Sequence, residues 1–303
     1  MITCQEITKS YGEHVVLASV NLDVRRGETY GLLGPNGAGK TTTFKLVLGL
    51  EDLDSGRVLV GNRDVDKDRA RFLADVGYVP EVVPVEPRKT ARQNLRDVGR
   101  LYDVASQELE DRIPELLSFV GLSGTGGDRV TTFSKGMRQR LGIARSLLHR
   151  PDLLLLDEPF SGLDPEAQRE LRRLVETLAS EGLALLIATH RLAEASEMCD
   201  RVGILHEGRL RQEVPLDDRS RESIHANFLA PVGEEVLAAV NDLDGVGAVE
   251  RGNGWARILA DDDLGVSQVR SILQGKARLT RYRSPKRELE GLYDRVTSEG
   301  SKA

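Results

Sequence analysis

The sequence predicts an α/β fold built around a parallel sheet, and three aliphatic segments carry this prediction. Residues 30–33 precede GPNGAGKTT, residues 153–156 precede DEP, and residues 183–188 precede TH. Uninterrupted aliphatic runs of this length are typical of strands that are buried on both faces of a sheet. Because ligands bind at the carboxyl ends of the strands in such sheets, the polar residues after each run predict a functional edge.

Composition limits the classes of protein to which the chain can belong. Its 303 residues, 40% of them hydrophobic, are enough for two domains with buried cores. The net charge of −6 argues against a generally basic nucleic-acid binder, so we expect no nucleic-acid partner. Two cysteines, Cys4 and Cys199, are too few for a disulfide framework. The sequence shows neither an export signal nor an apolar run long enough to cross a bilayer. Together with the low cysteine count, this predicts a cytoplasmic protein.

The segment after the first aliphatic run matches the pattern G-x-x-x-x-G-K-[ST] of a phosphate-binding loop. Glycines permit the positive φ that such a loop needs, and a helix beginning near Lys40 directs its positive N-terminus at the same anion. Lys40 can reach the outer phosphates, and Thr41 can bind Mg²⁺. The residues predicted to bind the nucleotide are Gly34, Pro35, Asn36, Gly37, Ala38, Gly39, Lys40, Thr41 and Thr42.

The other two aliphatic runs end in groups that suit hydrolysis of a nucleotide. Asp157 is placed to hold Mg²⁺, and Glu158 to polarise the water that attacks a γ-phosphate. His190 can bind that phosphate or the attacking water from the same edge of the sheet. Considered alone, Asp157 and Glu158 also fit a solvated acidic turn, and a lone histidine at the end of a strand is more often structural than catalytic. Together with a phosphate loop, they favour ATP hydrolysis.

A further segment, TFSKGMRQRLGIARSLL at residues 132–148, has the apolar spacing of a helix. Ser134 is a suitable N-cap for it, and Lys135 and Gly136 follow directly. Without other information, this is an ordinary capped amphipathic helix. Its N-terminus is also a second possible anion site in the chain.

These motifs, in this order, resemble those of the ATP-binding subunits of ABC transporters. The matching segments are the phosphate loop, GYVPE at residues 77–81, FSKGM at 133–137, LLLLDEP at 153–159, SGLD at 161–164 and ATH at 188–190. The resemblance covers roughly residues 2–215. It implies a P-loop ATPase core with an inserted helical subdomain at about residues 82–148, which uses ATP and Mg²⁺.

The resemblance also implies a head-to-tail homodimer, in which each ATP lies between one subunit's phosphate loop and the other subunit's signature, the FSKGM segment at residues 133–137. Ser134 and Gly136 would then act on the ATP of the partner subunit. Tyr11 resembles the aromatic residue on which adenine stacks, although packing is the more common role of such a residue. Asp164 resembles the residue that links the two nucleotide sites.

Two segments depart from the commonest family pattern. Glu81 stands where a glutamine usually meets Mg²⁺, and it adds a negative charge beside the phosphates. Lys135 and Met137 replace a glycine and a glutamine in the signature. This pattern is similar to that of multidrug and antibiotic-resistance exporters of the ABC-2 type, whose permease is a separate chain. The resemblance implies a subunit that lies on the cytoplasmic face of the membrane through that permease.

Two alternatives remain open from the sequence. A non-transport ABC ATPase would act on DNA or ribosomes, but the long heptad insertion or the second cassette that such proteins carry is absent from the sequence. A regulatory module would switch without turnover, and the presence of both Glu158 and His190 argues against it.

The motifs stop before the last third of the chain. Residues 211–223 read as a polar linker, and residues 224–303 predict a small accessory α+β domain of βαββαβ order. The turn signals Gly61-Asn62 and Glu207-Gly208 predict two hairpins in the preceding ATP-binding cassette, residues 1–215.

Overall fold

The computed structural model describes residues 1–61, 63–68, 72–216, 222–228, 233–244, 246–252, 254–260, 263–276, 279–283 and 285–299. The chain forms two compact units, Met1–Glu213 and Val214–Ala303. The turn residue Asn62 lies outside the described residues, although the strands on either side of it pair as predicted.

The first unit alternates strands and helices, as the sequence predicts for an α/β fold. Its strands and helices are, in chain order, β1 (Ile2–Tyr11), β2 (His14–Val24), β3 (Thr29–Leu33), α1 (Lys40–Val47), β4 (Ser55–Val60), β5 (Arg63–Asp64), β6 (Val76–Val79), α2 (Ala91–Leu101), α3 (Ser106–Phe119), α4 (Lys135–Ser146), β7 (Leu153–Asp157), α5 (Pro165–Ser180), β8 (Ala184–Thr189), α6 (Leu192–Met198), β9 (Arg201–His206) and β10 (Arg209–Pro215).

The central sheet has the order β10-β9-β3-β8-β7-β6. The four pairings from β9 to β6 are parallel, and every residue of β3, β7 and β8 is buried. These are the three aliphatic runs on which the fold prediction rests, so the prediction of a parallel sheet is confirmed. The carboxyl ends of the three strands lie side by side and lead into the phosphate loop, Glu158 and His190.

A second sheet, antiparallel and of order β2-β1-β4-β5, completes the core of this unit. One hydrophobic cluster joins its inner face, α1 and one face of the central sheet, with Ile7, Leu17, Phe44 and Leu155 fully buried. Because α1 is packed on both sheets, its N-terminus is fixed relative to the ends of β3 and β7.

The inserted region consists of α2, α3 and α4, in agreement with the predicted helical subdomain. Leu109, Ile113 and Leu116 are buried along one face of α3, as their spacing predicts. Arg112 donates from this helix to the backbone carbonyls of Leu147 and Leu148 at 2.6 and 2.9 Å, just beyond the end of α4. This contact ties the helical region to the segment that leads into β7.

The second unit contains β11 (Glu222–Phe228), α7 (Glu234–Asn241), β12 (Val246–Gly252), β13 (Trp255–Ala260), α8 (Asp263–Lys276), β14 (Leu279–Arg283) and α9 (Pro285–Glu299). Its antiparallel sheet has the order β12-β13-β11-β14, which is consistent with the predicted βαββαβ order. Helix α9 was not predicted from the sequence.

The linker prediction, residues 211–223, does not match the described secondary structure at either end. Strand β10 continues to Pro215, and β11 begins at Glu222. Polar side chains mislead the sequence reading here, because a strand exposed on one face can be polar at most of its positions. Residues 217–221 lie outside the described residues.

Candidate active site

The phosphate loop has the backbone shape that its glycines predict. Gly37 and Gly39 have φ values of 81° and 108°, a region that side chains other than glycine's rarely allow. A Cβ atom on Gly34 would lie 2.2 Å from the carbonyl oxygen of Leu205, so the loop can approach β9 this closely only with glycine there. The backbone conformation of the loop therefore depends on glycine at these three positions.

The N-terminus of α1 leaves donors available inside this loop. Its N-cap is Gly39, which supplies no side-chain hydrogen bond, and the first helical bond runs from the Thr43 NH to the Gly39 carbonyl at 2.8 Å. Within the described residues, the NH groups of Gly37, Lys40 and Thr41 have no protein acceptor. Unpaired NH groups at a helix N-terminus are the arrangement that binds phosphate oxygens.

Lys40 brings a buried cation to the same place. Its Nζ donates to the carbonyl oxygens of Gly34 and Pro35 at 2.7 and 3.2 Å, and only 6% of the residue is exposed. Burial lowers the pKa of Lys40, and the carboxylate of Glu158, 3.5 Å from Nζ, opposes this shift. An ammonium group held within the loop attracts the outer phosphates of a nucleotide.

Two of the three predicted metal ligands, Thr41 and Asp157, are in contact with each other. The Thr41 hydroxyl donates to Asp157 Oδ2 at 3.3 Å, which joins the start of α1 to the end of β7. Burial raises the pKa of Asp157, while the hydrogen bond from Thr41 lowers it. A hydroxyl beside a carboxylate forms the hard oxygen set that Mg²⁺ prefers when phosphates supply further ligands, so these residues fit the ion.

Glu81, the third predicted metal ligand, lies in the segment after β6. Its negative charge contributes to raising the pKa of Asp157, although burial and Glu158 contribute more. Its Oε1 accepts a hydrogen bond from the Ser161 hydroxyl at 3.3 Å. Among the residues that the structure describes, no group of three or more His, Cys, Asp or Glu side chains could hold a metal ion by itself.

Glu158 is held through both of its carboxylate oxygens. Oε1 faces Lys40 at 3.5 Å, and Oε2 lies 2.9 Å from His190 Nδ1. The backbone of Glu158 has a φ of 46°, and its NH donates to the Ala188 carbonyl at 2.9 Å, which fixes the residue at the junction of β7 and β8. The site therefore presents an oriented carboxylate beside a phosphate loop, as a general base requires.

Sequence reasoning missed Glu194, which organises the segment that carries His190. Its Oε2 accepts a hydrogen bond from the Thr189 hydroxyl at 2.9 Å, and its Oε1 lies 2.6 Å from Arg191 Nη1. Burial raises the pKa of Glu194. The available signal was its position four residues after His190 at the start of a helix, where it is placed to reach back to the strand end.

The signature residues lie at the start of a different helix. Ser134 caps α4 by accepting a hydrogen bond from the Met137 NH at 3.2 Å, as predicted. A Cβ atom on Gly136 would lie 2.7 Å from the Cβ of Ala167, so α4 and α5 approach closely there. Asp164 caps α5 through the Ala167 NH at 2.9 Å.

The structure thus joins some of the predicted residues and leaves others apart. At the edge of the central sheet, Glu158 contacts both Lys40 and His190, and Thr41 is hydrogen-bonded to Asp157. Among the described residues, Ser134 and Asp164 make no hydrogen bond or ion pair with the phosphate loop.

Tyr11 ends β1 with 44% of its surface exposed. Lys9 Nζ lies 5.3 Å from the centre of its ring. The ring is therefore accessible to a stacking partner.

Membrane-spanning character is not seen in the described part of the chain. None of the helices there combines the length and the apolar character needed to cross a bilayer.

Comparison with known proteins agrees with this site. A family model described as ABC transporter matches residues 17–161. The linearmycin resistance ATP-binding protein LnrL of Bacillus subtilis is 36% identical over 69% of this chain and 68% of its own length. The bacitracin transport ATP-binding protein BcrA of Bacillus licheniformis is 41% identical over 72% of this chain and 70% of its own.

Among solved structures, a post-hydrolysis dimer of the ATP-binding cassette MJ0796, bound to ADP and phosphate, superposes with a TM-score of 0.64. It is 26% identical and covers 72% of this chain and all of its own. The parallel sheet, the phosphate loop and the carboxylate beside it agree with these similarities. The chain belongs to the family of ABC transporter ATP-binding proteins, whose activity is ATP hydrolysis.

Proposed function

We propose that this chain hydrolyses ATP for an exporter and that Glu158 activates the attacking water. The observation that carries the proposal is the two-sided hold on the Glu158 carboxylate, by Lys40 and His190, beside the phosphate loop. Lys40 would bind the outer phosphates and stabilise the charge that develops on the transferred group. His190 would orient Glu158 and sense the γ-phosphate.

Thr41, Asp157 and Glu81 would hold Mg²⁺ in this proposal. The bound ion would supply positive charge that neutralises the phosphate oxygens. The hydroxyl of Thr41 already lies 3.3 Å from the Asp157 carboxylate, so two of these residues need no rearrangement to share one ion.

The other half of the nucleotide site would come from a second copy of the chain. Ser134 is exposed at the N-terminus of α4, where its hydroxyl and the helix dipole can face a phosphate of the partner. Gly136 would permit close approach there, Asp164 would link the two sites, and Tyr11 would stack on adenine. The proposed assembly is a head-to-tail homodimer that ATP closes and hydrolysis opens.

A groove beside the site is suited to a helix of the separate permease. It has a volume of about 320 Å³ and an apolar lining that includes Leu50, Tyr78, Val83 and Tyr102. Leu50 is 66% exposed, so an apolar side chain of the groove is accessible to a partner. Through the permease, the ATPase would lie on the cytoplasmic face of the membrane. Export of a drug, lipid or other small molecule is proposed from the similarity to resistance and transport proteins.

Replacement of Glu158 by glutamine tests the hydrolytic role. We expect Glu158→Gln to bind ATP with unchanged affinity while phosphate release falls at least about 100-fold, because the general base is lost. Glu181→Gln, which removes an exposed carboxylate at the end of α5, is the matched control and keeps the wild-type rate. Normal turnover by Glu158→Gln would remove Glu158 from the mechanism.

Isolation of the ATP-bound Glu158→Gln protein from gently solubilised cells tests the transport role. We expect a multi-span membrane protein to copurify, and Leu50→Glu to abolish this association while ATP hydrolysis continues. Leu101→Glu is the control, since Leu101 is 83% exposed but does not line the groove. Copurification of ribosomes or DNA-bound proteins without a membrane protein would instead favour the non-transport alternative.

A further inference from the structure

The loop between β7 and α5 is a series of consecutive turns that begins at Glu158. The Ser161 NH donates to the Glu158 carbonyl at 3.1 Å, and the Leu163 NH donates to the Phe160 carbonyl at 3.2 Å. Phe160 is buried, and Asp164 caps the following helix. The middle of this loop is therefore joined by a backbone hydrogen bond to Glu158 and lies directly before the N-terminus of α5.

Two charged side chains from distant segments contact the middle of this loop. The Ser161 hydroxyl donates to Glu81 Oε1 at 3.3 Å. At the next residue, a Cβ atom on Gly162 would lie 2.8 Å from Lys135 Nζ and 3.7 Å from the two adjoining carbons of that side chain. A carboxylate and an ammonium group thus lie against consecutive residues of one loop. Neither Glu81 nor Lys135 is buried, so solvent screens both charges.

We propose that Glu81 and Lys135 are a pair of positioning residues, which hold the Ser161–Gly162 segment in place and thereby set the position of Glu158. The inference rests on the proposed role of Glu158 in hydrolysis. Glu81 acts as a hydrogen-bond acceptor for Ser161, and Lys135 packs along the backbone at Gly162. Their opposite charges offset one another, so the additional carboxylate near the phosphates brings no net negative charge to the loop.

The segment that carries Glu81 also connects this loop to the groove proposed for the permease. Val83, two residues after Glu81, lies against α4, where a Cβ atom on Gly142 would be 2.9 Å from its methyl groups. Arg145 of the same helix donates to the carbonyl of Pro84. Displacement of this segment by a helix in the groove would move the Glu81 carboxylate and, through Ser161, the loop between β7 and α5.

Amide hydrogen exchange in the nucleotide-free protein tests the proposal without depending on hydrolysis. We expect Glu81→Ala and Lys135→Ala each to speed exchange in peptides covering residues 158–164 by about fivefold, because each removes one restraint on local opening. Glu81→Gln and Lys135→Arg keep the acceptor and the cation, and should exchange like the wild type. Lys67→Met is the control, because it removes an exposed lysine that is distant in sequence from residues 158–164.

Ser161→Ala provides the decisive comparison. It removes the hydroxyl that Glu81 accepts, so it should reproduce the exchange of Glu81→Ala, and the double variant should exchange no faster than either single variant. Phosphate release at saturating ATP should also fall about fivefold in Glu81→Ala and Lys135→Ala. Unchanged exchange in the two alanine variants, or independent effects of Ser161 and Glu81, would overturn the proposal. A wild-type protein without ATPase activity would contradict the proposed function and leave the exchange result intact.

Discussion

The N-termini of α1 and α4 are both predicted anion sites, and the structure builds them differently. At α1 the N-cap is Gly39 in a left-handed conformation with no side-chain cap. At α4 the N-cap is Ser134 in an extended conformation, and its hydroxyl accepts from the Met137 NH. The first terminus leaves its donors for a ligand of the same chain, whereas the second is complete as an ordinary helix end. In the proposed homodimer, the second terminus would bind the ATP of the partner chain.

Removal of the cation at α1 should have the largest effect. We expect Lys40→Ala to lower the affinity for ATP by about 100-fold or more, since the ammonium group is the charged donor inside the loop. Binding of a fluorescent ATP analogue measures this change. Lys45→Ala is the control on the same helix, because among the described residues its exposed side chain pairs with Glu51 and not with the phosphate loop. Equal losses in the two variants would mean that the position of Lys40 has no special importance.

The close contact at the start of α4 should affect hydrolysis but not binding. Gly136→Ala places a methyl group 2.7 Å from the Cβ of Ala167, so the signature must shift away from α5. We expect phosphate release to fall about tenfold while the ATP affinity of a single chain is unchanged. Ala167→Gly in the same chain makes room for the new methyl group and should restore the rate. Failure of this second change to restore activity would show that the close contact is not the cause.

Loss of the cap on α4 should appear as a moderate loss of stability. Ser134→Ala removes the acceptor for the Met137 NH and should lower the free energy of unfolding by about 1 kcal/mol. Ser134→Asp retains an acceptor and should lose less. Urea unfolding measures both values. An unchanged stability in Ser134→Ala would contradict the view that α4 is a conventionally capped helix.

The smallest expected effect lies beyond the other end of α4, at His149. Its ring stacks on Tyr102 with centroids 4.0 Å apart, and Nε2 lies 3.0 Å from the Val76 carbonyl oxygen. Burial lowers the pKa of His149 below its ordinary value of 6.5, while the hydrogen bond to Val76 raises it. The imidazole of His149 therefore binds a proton more readily in the unfolded chain than in the folded one. The contribution of His149 to stability is fully present above pH 6.5 and is lost as the pH falls.

His149→Gln should accordingly reduce the fall in melting temperature between pH 7.5 and 5, because glutamine does not titrate in this range. Thermal unfolding across this pH range measures the difference between the two proteins. An identical pH dependence in the wild type and the variant would exclude His149 as its source.

The sequence was sufficient where one local pattern determines a local structure. The three buried strands, the glycine conformations of the phosphate loop and the Ser134 cap all follow from short segments. The bond from Ser161 to Glu81 joins positions 80 residues apart, and that of Glu194 to Thr189 depends on how a helix leaves a strand. Such contacts depend on tertiary packing, which residue spacing alone does not specify.

Helix α9 was missed for a related reason. Its first residue is Pro285, a common residue at the first position of a helix, and Leu289 is fully buried within it. Among its 15 residues, charged and polar types outnumber apolar ones, so its periodicity is weak in the sequence.

A disulfide cross-link tests most directly whether the two helix termini meet in an ATP-bound dimer. Asn36→Cys and Ser134→Cys would be placed on separately tagged chains that also carry Glu158→Gln. The native Cys4 and Cys199 are buried, and burial raises the pKa of Cys4 to about 12, so neither should react. We predict a cross-link between chains that requires ATP. A cross-link that forms equally well without ATP, or none between chains when ATP is bound, would contradict the account.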